Sequence, residues 1–188
     1  TGVLHAAGAA DKGLLVQVYA CRLHQQYAPK AVGAWHLHGA TAAAPLEACL
    51  LFSSVGAGLG NVGQASYAAA NACLDAHALS RRARGAAACS VQWPLVGGAG
   101  MGAAAFAALA ERQVAIVGLA GISLEVYAAC VGAQLAASVG LGLSVQLAHR
   151  SDVRELLADL ADASQPRFGE LAPPAAHAAT SGGRPAPL

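Results

Sequence analysis

Four short apolar runs, separated by stretches of helix-forming composition, constrain the fold of this chain more than any other feature. The runs cover residues 2–6, 48–53, 88–93 and 143–148, and the helix-like stretches cover residues 14–42, 63–84, 103–113 and 124–138. This alternation is typical of a parallel sheet with crossover helices. Because the runs are continuously apolar, both faces of the sheet should be covered. We therefore predict an α/β fold, a doubly wound parallel sheet of about four strands with flanking helices.

The composition agrees with a largely buried fold and excludes one class of partner. Of the 188 residues, 56% are hydrophobic and 11% are charged, and the net charge is +1. A basic cluster of Arg81, Arg82 and Arg84 precedes Gly85 at the end of the predicted helix 63–84, where cations oppose the helix dipole and glycine ends the helix. No other basic tract is present, so we predict no binding of nucleic acid.

The cysteines indicate a reduced protein. Five of them lie far apart, at positions 21, 49, 73, 89 and 130, without a C-x-x-C pair. Such a set favours free core thiols in the cytoplasm over a disulfide framework or a zinc site. His36 and His38 have no third ligand placed near them, so we predict a helix-surface pair and no metal. The chain begins with Thr1 and its first methionine is Met101, so we expect it to begin inside a longer protein.

An uncharged stretch at residues 126–148 fits either a membrane span or a buried part of the fold. Residues 126–148 carry no charge and could cross a bilayer as one helix, but they contain two glutamines, two serines and three glycines. A buried helix followed by a buried strand explains them better, and we predict no membrane span.

From about Ser164 the sequence turns to Pro, Ala, Gly and Ser, the composition of a disordered linker that tethers a neighbouring domain. We divide the chain into a folded unit, 1–160, and a linker, 161–188.

A glycine pattern follows the second apolar run. Gly58, Gly60 and Gly63 match G-x-G-x-x-G, between a predicted strand and a predicted helix, as in a dinucleotide-binding loop. The acidic residue that should end a further strand about twenty residues on is missing, since Asp75 falls inside the helix. We therefore expect these glycines to let the loop turn sharply at a sheet edge rather than to bind a pyrophosphate.

Polar residues on both sides of this loop indicate a site. Ser54 lies at the carboxyl end of the second strand, and Tyr67 follows thirteen residues later on the first turn of the next helix. Ligands of open α/β sheets bind outside these strand ends, so both hydroxyl groups can face one crevice. Asn71 is four residues beyond Tyr67 and therefore lies on the same helix face.

This arrangement resembles the short-chain dehydrogenase/reductase superfamily, whose catalytic group is Ser, Tyr, Lys and Asn. Most members carry Tyr-x-x-x-Lys, whereas here Asn71 stands four residues after Tyr67, and Lys30 lies 37 residues before it. This exchange is characteristic of the ketoreductase domains of polyketide synthases and animal-type fatty acid synthases. Further segments similar to that family are Gly2-Val-Leu-His-Ala-Ala-Gly8, Ala28-Pro-Lys-Ala-Val-Gly-Ala-Trp35, Leu51-Phe-Ser-Ser54 and Ser90-Val-Gln-Trp93.

The resemblance covers about residues 1–160 and implies only the C-terminal half of a Rossmann-like fold. Family members begin with strands that carry T-G-G-x-G-x-L-G, a loop that grips the phosphates of NADPH, and this sequence has no such segment. The strand that contains His5 corresponds to the family's fourth, so an N-terminal ketoreductase half is an expected partner. Pro94 stands where the family has glycine after Trp93, which alters a loop bordering the nicotinamide.

The resemblance also implies a chemistry, the reduction of a ketone with NADPH. Tyr67 would be the general acid. A free tyrosine has a pKa of about 10, and a nearby ammonium favours its phenolate, which is the role implied for Lys30. Ser54 would stabilise the developing alkoxide, and Asn71 would position Lys30 and a water. Lys30 and Tyr67 would also contact the cofactor.

The implied substrate is a β-ketoacyl thioester on the phosphopantetheine arm of an acyl carrier protein, which becomes a β-hydroxyacyl thioester. Other domains of the same synthase would be further partners. Two alternatives stay open. The chain could be a truncated, non-catalytic ketoreductase scaffold, if the parent has no glycine fingerprint upstream. It could also belong to a stand-alone reductase of small molecules, if no carrier-protein domain follows the linker.

Overall fold

The computed structural model of the protein describes residues 1–9, 13–60, 63–98, 100, 102–103, 121–137 and 145–147. Within them, four parallel strands form one sheet in the order β1-β2-β3-β4. The strands are β1 (Gly2–His5), β2 (Ala48–Ser54), β3 (Cys89–Trp93) and β4 (Val145–Leu147). Each lies within one or two residues of a predicted apolar run, so the parallel α/β sheet is confirmed.

Helices connect the strands. Before β2 come α1 (Ala20–Tyr27), a π-helical segment (Ala28–Val32) and α2 (Gly33–Ala40), preceded by one 3₁₀ turn (Leu15–Gln17). After β2 come α3 (Val55–Leu59) and α4 (Ala65–Ala83), and α5 (Leu124–Ala137) precedes β4. The predicted helix 103–113 lies outside the described residues except for its first residue, and the linker 161–188 lies wholly outside them.

Both faces of the sheet are covered, because alternate residues of β2 face opposite sides. The cluster between the sheet and helices α2 and α4 contains Ala34, Cys49, Leu51, Leu74, Ala78 and Ala88. The cluster on the α5 side contains Leu50, Cys89, Val91, Trp93 and Ile122, with Phe52, Val96, Tyr127, Cys130 and Val131 half-buried beside it. This arrangement explains why β2 is apolar throughout and confirms the doubly wound architecture.

Pro29 interrupts the first helical stretch, as expected for a residue that lacks a backbone N–H and whose ring crowds the preceding turn. The structure shows that the interruption is a widened, π-helical segment with the proline in its first turn. The segment lies close to β1. A Cβ added to Gly33 would be 3.2 Å from Cε1 of His5, so glycine permits this approach.

Two predictions about burial are wrong. Helix α5 is not buried, since Leu124, Val126 and Leu135 are 40%, 44% and 37% exposed. Tyr127, Cys130 and Val131 on one face of α5 pack against the sheet cluster that contains Trp93. The helix is therefore covered on that face only. None of the five cysteines, all of which lie in the described residues, forms a disulfide, but Cys21 and Cys73 are exposed rather than in the core. Among the described residues, no helix is long and apolar enough to cross a membrane.

Candidate active site

The residues predicted for catalysis lie around the carboxyl end of β2. Ser54 is the last residue of that strand, while Tyr67 and Asn71 lie on α4, which packs across β2 and β3. Lys30 lies in the π-helical segment, which also contacts α4. Three elements thus supply the four residues of the candidate site.

Lys30 is the most unusual of these residues, because its ammonium group is buried. The side chain is 3% exposed, and Nζ donates a hydrogen bond to the backbone oxygen of Phe52 over 2.9 Å. Nζ also lies 5.7 Å from the ring centroid of Tyr67. Burial lowers the pKa of Lys30 from 10.5 to about 8, and the negative charge of Asp75 opposes this fall. The amine is therefore still mostly protonated at neutral pH.

His5 fixes the backbone of the lysine. Nε2 of this buried side chain lies 3.1 Å from the backbone oxygen of Lys30. A carbonyl can only accept, so Nε2 carries the proton and donates it. The bond ties the π-helical segment to the carboxyl end of β1, so the position of Lys30 depends on the sheet as well as on its own helix. Sequence reasoning missed this contact, although His5 is the one polar residue at the end of the first apolar run.

Asn71 ties the first turns of α4 to β2. Its Nδ2 donates to the backbone oxygen of Tyr67 over 2.8 Å, and its own backbone oxygen accepts a hydrogen bond from Ser53 Oγ over 3.3 Å. The side chain is fully buried, and among the described residues its Oδ1 has no hydrogen-bond partner. A buried amide oxygen without a donor costs about 1–3 kcal/mol, so this atom is a ready acceptor inside the site.

Ser54 stands at the same strand end but is engaged differently. It is the N-cap residue of α3, and its Oγ accepts a hydrogen bond from the backbone N–H of Gly56 over 3.2 Å. Within the described part of the chain, no hydrogen bond joins the hydroxyl groups of Ser54 and Tyr67. The structure thus places Lys30 and Asn71 each beside Tyr67, while the convergence of Ser54 with Tyr67 stays a prediction.

The glycine pattern after β2 has a structural role that its sequence only partly indicated. Gly60 and Gly63 have positive φ angles of 83° and 73°, as expected for a sharp turn. Gly58, however, lies inside helix α3, where an added Cβ would be 3.0 Å from Oε1 of Gln92. The loop follows an interior strand of the described sheet, so its placement at a sheet edge is wrong.

Asp75 binds β3 through its side chain, a contact that the sequence did not predict. Its carboxylate accepts hydrogen bonds from Ser90 Oγ over 2.6 Å and from Gln92 Nε2 over 2.8 Å. Both donors lie on β3, under the middle of α4. The spacing of Tyr67, Asn71 and Asp75, four residues each, is the sequence signal that could have placed Asp75 on the same face of α4 as Tyr67.

The histidine pair on α2 does not form a metal centre in the part of the chain that the structure describes. No group of three or more His, Cys, Asp or Glu side chains is arranged there to hold an ion. His36 is exposed, whereas His38 is half-buried, with Nδ1 2.6 Å from Nη1 of Arg81. His38 is therefore a packing partner of α4 rather than one member of a surface pair.

Comparisons with known proteins agree with this fold. A family model described as "KR domain" matches residues 1–98. The spectinabilin polyketide synthase system protein NorB of Streptomyces orinoci is 50% identical over 105 residues, which are 56% of this chain and 5% of that protein. A solved structure of A-type ketoreductases from a modular polyketide synthase has a TM-score of 0.73 at 32% identity, covering 86% of this chain and 33% of that one.

The first ketoreductase of the tylosin synthase is similar as well, with a TM-score of 0.68 at 33% identity. The match covers 90% of this chain and 38% of that one. The chain thus spans little more than a third of the solved chains that it matches, and a far smaller part of the curated relative.

Proposed function

The chain belongs to the ketoreductase (KR) domain family of modular polyketide synthases, and we propose that it supplies the proton-donating half of an NADPH-dependent reduction. The substrate would be a β-ketoacyl thioester on an acyl carrier protein, and the product a β-hydroxyacyl thioester. The observation that carries this proposal is the buried ammonium of Lys30 beside the ring of Tyr67. A cation buried without a counter-charge costs folding free energy, and departures of this kind are expected at functional sites.

The residues present fit one end of the cofactor. Bound NADPH would supply the hydride that is added to the substrate carbon. One of the three N–H groups of Lys30 is used by Phe52, which leaves two donors for ribose hydroxyl groups and for the tyrosine oxygen. The sequence has no T-G-G-x-G-x-L-G loop, and Gly58 packs against Gln92 within α3. The phosphates would therefore be held by an N-terminal half of the domain.

Tyr67 would donate the proton to the substrate oxygen. The nearby ammonium of Lys30 favours the phenolate that remains after the transfer. Ser54 is suited to hold the same substrate oxygen, because its Oγ accepts from Gly56 and its own hydroxyl hydrogen stays available as a donor. Two donors aimed at one developing alkoxide are the usual means of stabilising that charge.

Asn71 would connect the site to the source of protons. Its Oδ1 is buried without a partner among the described residues and can accept from the ammonium of Lys30 or from a water. Nδ2 is already fixed on the backbone of Tyr67, so the orientation of the amide is set. This supports a role in positioning Lys30 and in restoring the proton to Tyr67 after each turnover.

One edge of the described sheet has room for a further strand. In the described sheet, β1 pairs only with β2, and Leu4 on it is 54% exposed. We propose that the N-terminal half of a ketoreductase pairs with this edge. An acyl carrier protein and other synthase domains would bring the substrate, in the cytoplasm. The relatives that are named as polyketide synthases favour this setting over a stand-alone reductase of small molecules.

The test uses the chain together with an N-terminal ketoreductase half, a β-ketoacyl thioester and NADPH. Tyr67→Phe removes only the proton donor, so turnover should fall at least about 100-fold while NADPH binding, measured by fluorescence, is nearly unchanged. Lys30→Ala should impair both turnover and binding. Tyr19→Phe is the matched control, since Tyr19 is 66% exposed and outside the site.

The outcomes separate the alternatives. Loss of turnover in Tyr67→Phe and full turnover in Tyr19→Phe support the mechanism. Unchanged turnover in Tyr67→Phe refutes it. A wild-type assembly that binds NADPH but reduces no β-ketoacyl thioester would instead favour the non-catalytic scaffold.

A further inference from the structure

Helix α3 has a sequence that does not stabilise a helix by itself. Its five residues, Val55–Leu59, include two glycines, which have the poorest helix propensity apart from proline. Isolated helices shorter than about 12 residues are marginal in water, so contacts with the rest of the fold must hold α3 in place. One such contact is its cap, in which the backbone N–H of Gly56 donates to Ser54 Oγ over 3.2 Å. The position of α3 and the direction of the Ser54 hydroxyl group therefore depend on each other.

Another contact of α3 is with the side chain of Gln92 on β3. A Cβ added to Gly58 would lie 3.0 Å from Oε1 of Gln92 and 3.5 Å from its Nε2, so the amide group lies directly against the helix. Glycine at position 58 permits this approach. The Gln92 side chain is buried, at 8% exposure, whereas Gly58 keeps an exposed side. One side-chain amide of the neighbouring strand thus supports α3 from the sheet.

Asp75 fixes the amide of Gln92. Nε2 of Gln92 donates to one carboxylate oxygen of Asp75 over 2.8 Å, and Ser90 Oγ donates to the other over 2.6 Å. A carboxylate oxygen accepts, so the NH₂ end of the amide faces Asp75 and its oxygen faces Gly58. Ser90 is fully buried, which holds the carboxylate in one place. A continuous set of contacts thus leads from α4 through β3 to α3.

We propose that Gln92 is a positioning residue for Ser54: its amide, anchored on Asp75, holds α3 where Ser54 caps it and so fixes the Ser54 hydroxyl group. The catalytic meaning of this role rests on the proposed function, since Ser54 holds a substrate oxygen only if the chain contributes to a reductase. The support of the cap itself does not depend on any activity. Gln92 contacts α3 and α4 and is nearly closed off from solvent, so its effect on the reaction must pass through the groups that it holds.

Hydrogen exchange at the Gly56 amide measures the cap directly. The full 188-residue chain is labelled with ¹⁵N, and the exchange of its amides is followed by NMR. Gln92→Ala removes the support, so the Gly56 amide should exchange at least about 10-fold faster than in wild type. Ser90→Ala is the matched control, because it removes the other hydrogen bond to Asp75 and keeps the Gln92 side chain. It should lower stability and leave exchange at Gly56 within about twofold of wild type.

Enzyme assays test whether Gln92 acts through Ser54. In the assembly that reduces β-ketoacyl thioesters, Gln92→Ala should lower kcat at least about 5-fold with little change in the KM for NADPH. In a chain that already carries Ser54→Ala, the same substitution should change kcat by less than about twofold, since the group that it positions is gone. If Gln92→Ala does not fold, Gln92→Asn replaces it, because asparagine is one methylene shorter and cannot reach Asp75 and Gly58 at once.

The outcomes separate the positioning role from the proposed function. Equal exchange at Gly56 in Gln92→Ala, or in its replacement, and in Ser90→Ala would overturn the positioning role. So would an equal loss of kcat from Gln92→Ala with Ser54 present and with Ser54→Ala, which is the pattern of a merely structural residue. Faster exchange at Gly56 without any wild-type turnover would refute the proposed function and leave the support of the cap standing. Turnover with unchanged exchange would do the opposite.

Discussion

Replacing Lys30 with methionine should stabilise the fold at neutral pH while it removes the proposed reductase activity. A fall in the pKa of Lys30 from 10.5 to about 8 means that the buried ammonium costs about 3 kcal/mol of folding free energy where both states are protonated. Methionine is unbranched like lysine, one atom shorter, and carries no charge. It loses the hydrogen bond to Phe52, which is worth about 1–2 kcal/mol. The free energy of unfolding should therefore rise by about 1–2 kcal/mol near pH 7.

The difference in stability between wild type and Lys30→Met should depend on pH. Because the folded-state pKa of Lys30 is below the unfolded value, the unfolded chain binds more protons between about pH 8 and 10.5, and wild-type stability rises across that window. Lys30→Met lacks this rise, so its advantage should vanish and then reverse as the pH increases.

Urea denaturation of wild type and variant at several pH values measures the effect. The control is Arg84→Met at an exposed cation, which should change stability by less than about 0.5 kcal/mol. A variant that is less stable than wild type at pH 7, or a wild type with flat stability from pH 8 to 10, would refute the reasoning.

Two more predictions concern packing. Gly58→Ala should destabilise the chain by about 1 kcal/mol, because the added Cβ would lie 3.0 Å from Gln92 Oε1. Gly39→Ala has no neighbour within 4 Å and should instead stabilise α2 by about 0.5–1 kcal/mol. Equal gains in the denaturation midpoints of the two variants would contradict this prediction. Cys89 should react with a thiol reagent only after unfolding, because it is buried and burial raises its pKa to about 11, whereas exposed Cys21 should react at once. Mass spectrometry of the labelled chain measures both rates, and equal rates would contradict the burial of Cys89.

The sheet was predictable because its strands are covered on both faces. Every residue from Ala48 to Phe52 is apolar. A strand that is covered by helices on both faces of the sheet needs that pattern, whatever the rest of the fold is. The end of α4 was predictable for a local reason as well, since Gly85 adopts the positive φ angle of 77° that favours glycine. The exposure of α5 was not predictable, because how much of a helix is covered depends on the width of the sheet beneath it.

Parts of the candidate site were also predictable. The distance of four residues between Tyr67 and Asn71 defines one helix face before any tertiary structure is known. That Lys30 lies beside Tyr67 could be expected only from the resemblance to the ketoreductase domains. No local rule brings residues 37 positions apart into contact.

What the sequence by itself determined is therefore the set of elements: four apolar strands, the long helix after the glycine loop, and an interruption at Pro29. The tertiary structure alone decided how these elements meet. Helix α3 has a glycine-rich sequence with poor helix propensity, and it forms where Ser54 caps it and Gln92 supports it. Asp75 is half-buried against the sheet, where it accepts hydrogen bonds from Ser90 and Gln92 under that turn of α4. Such contacts join residues that are distant in the chain, and they depend on the docking of helix on sheet, which no local pattern encodes.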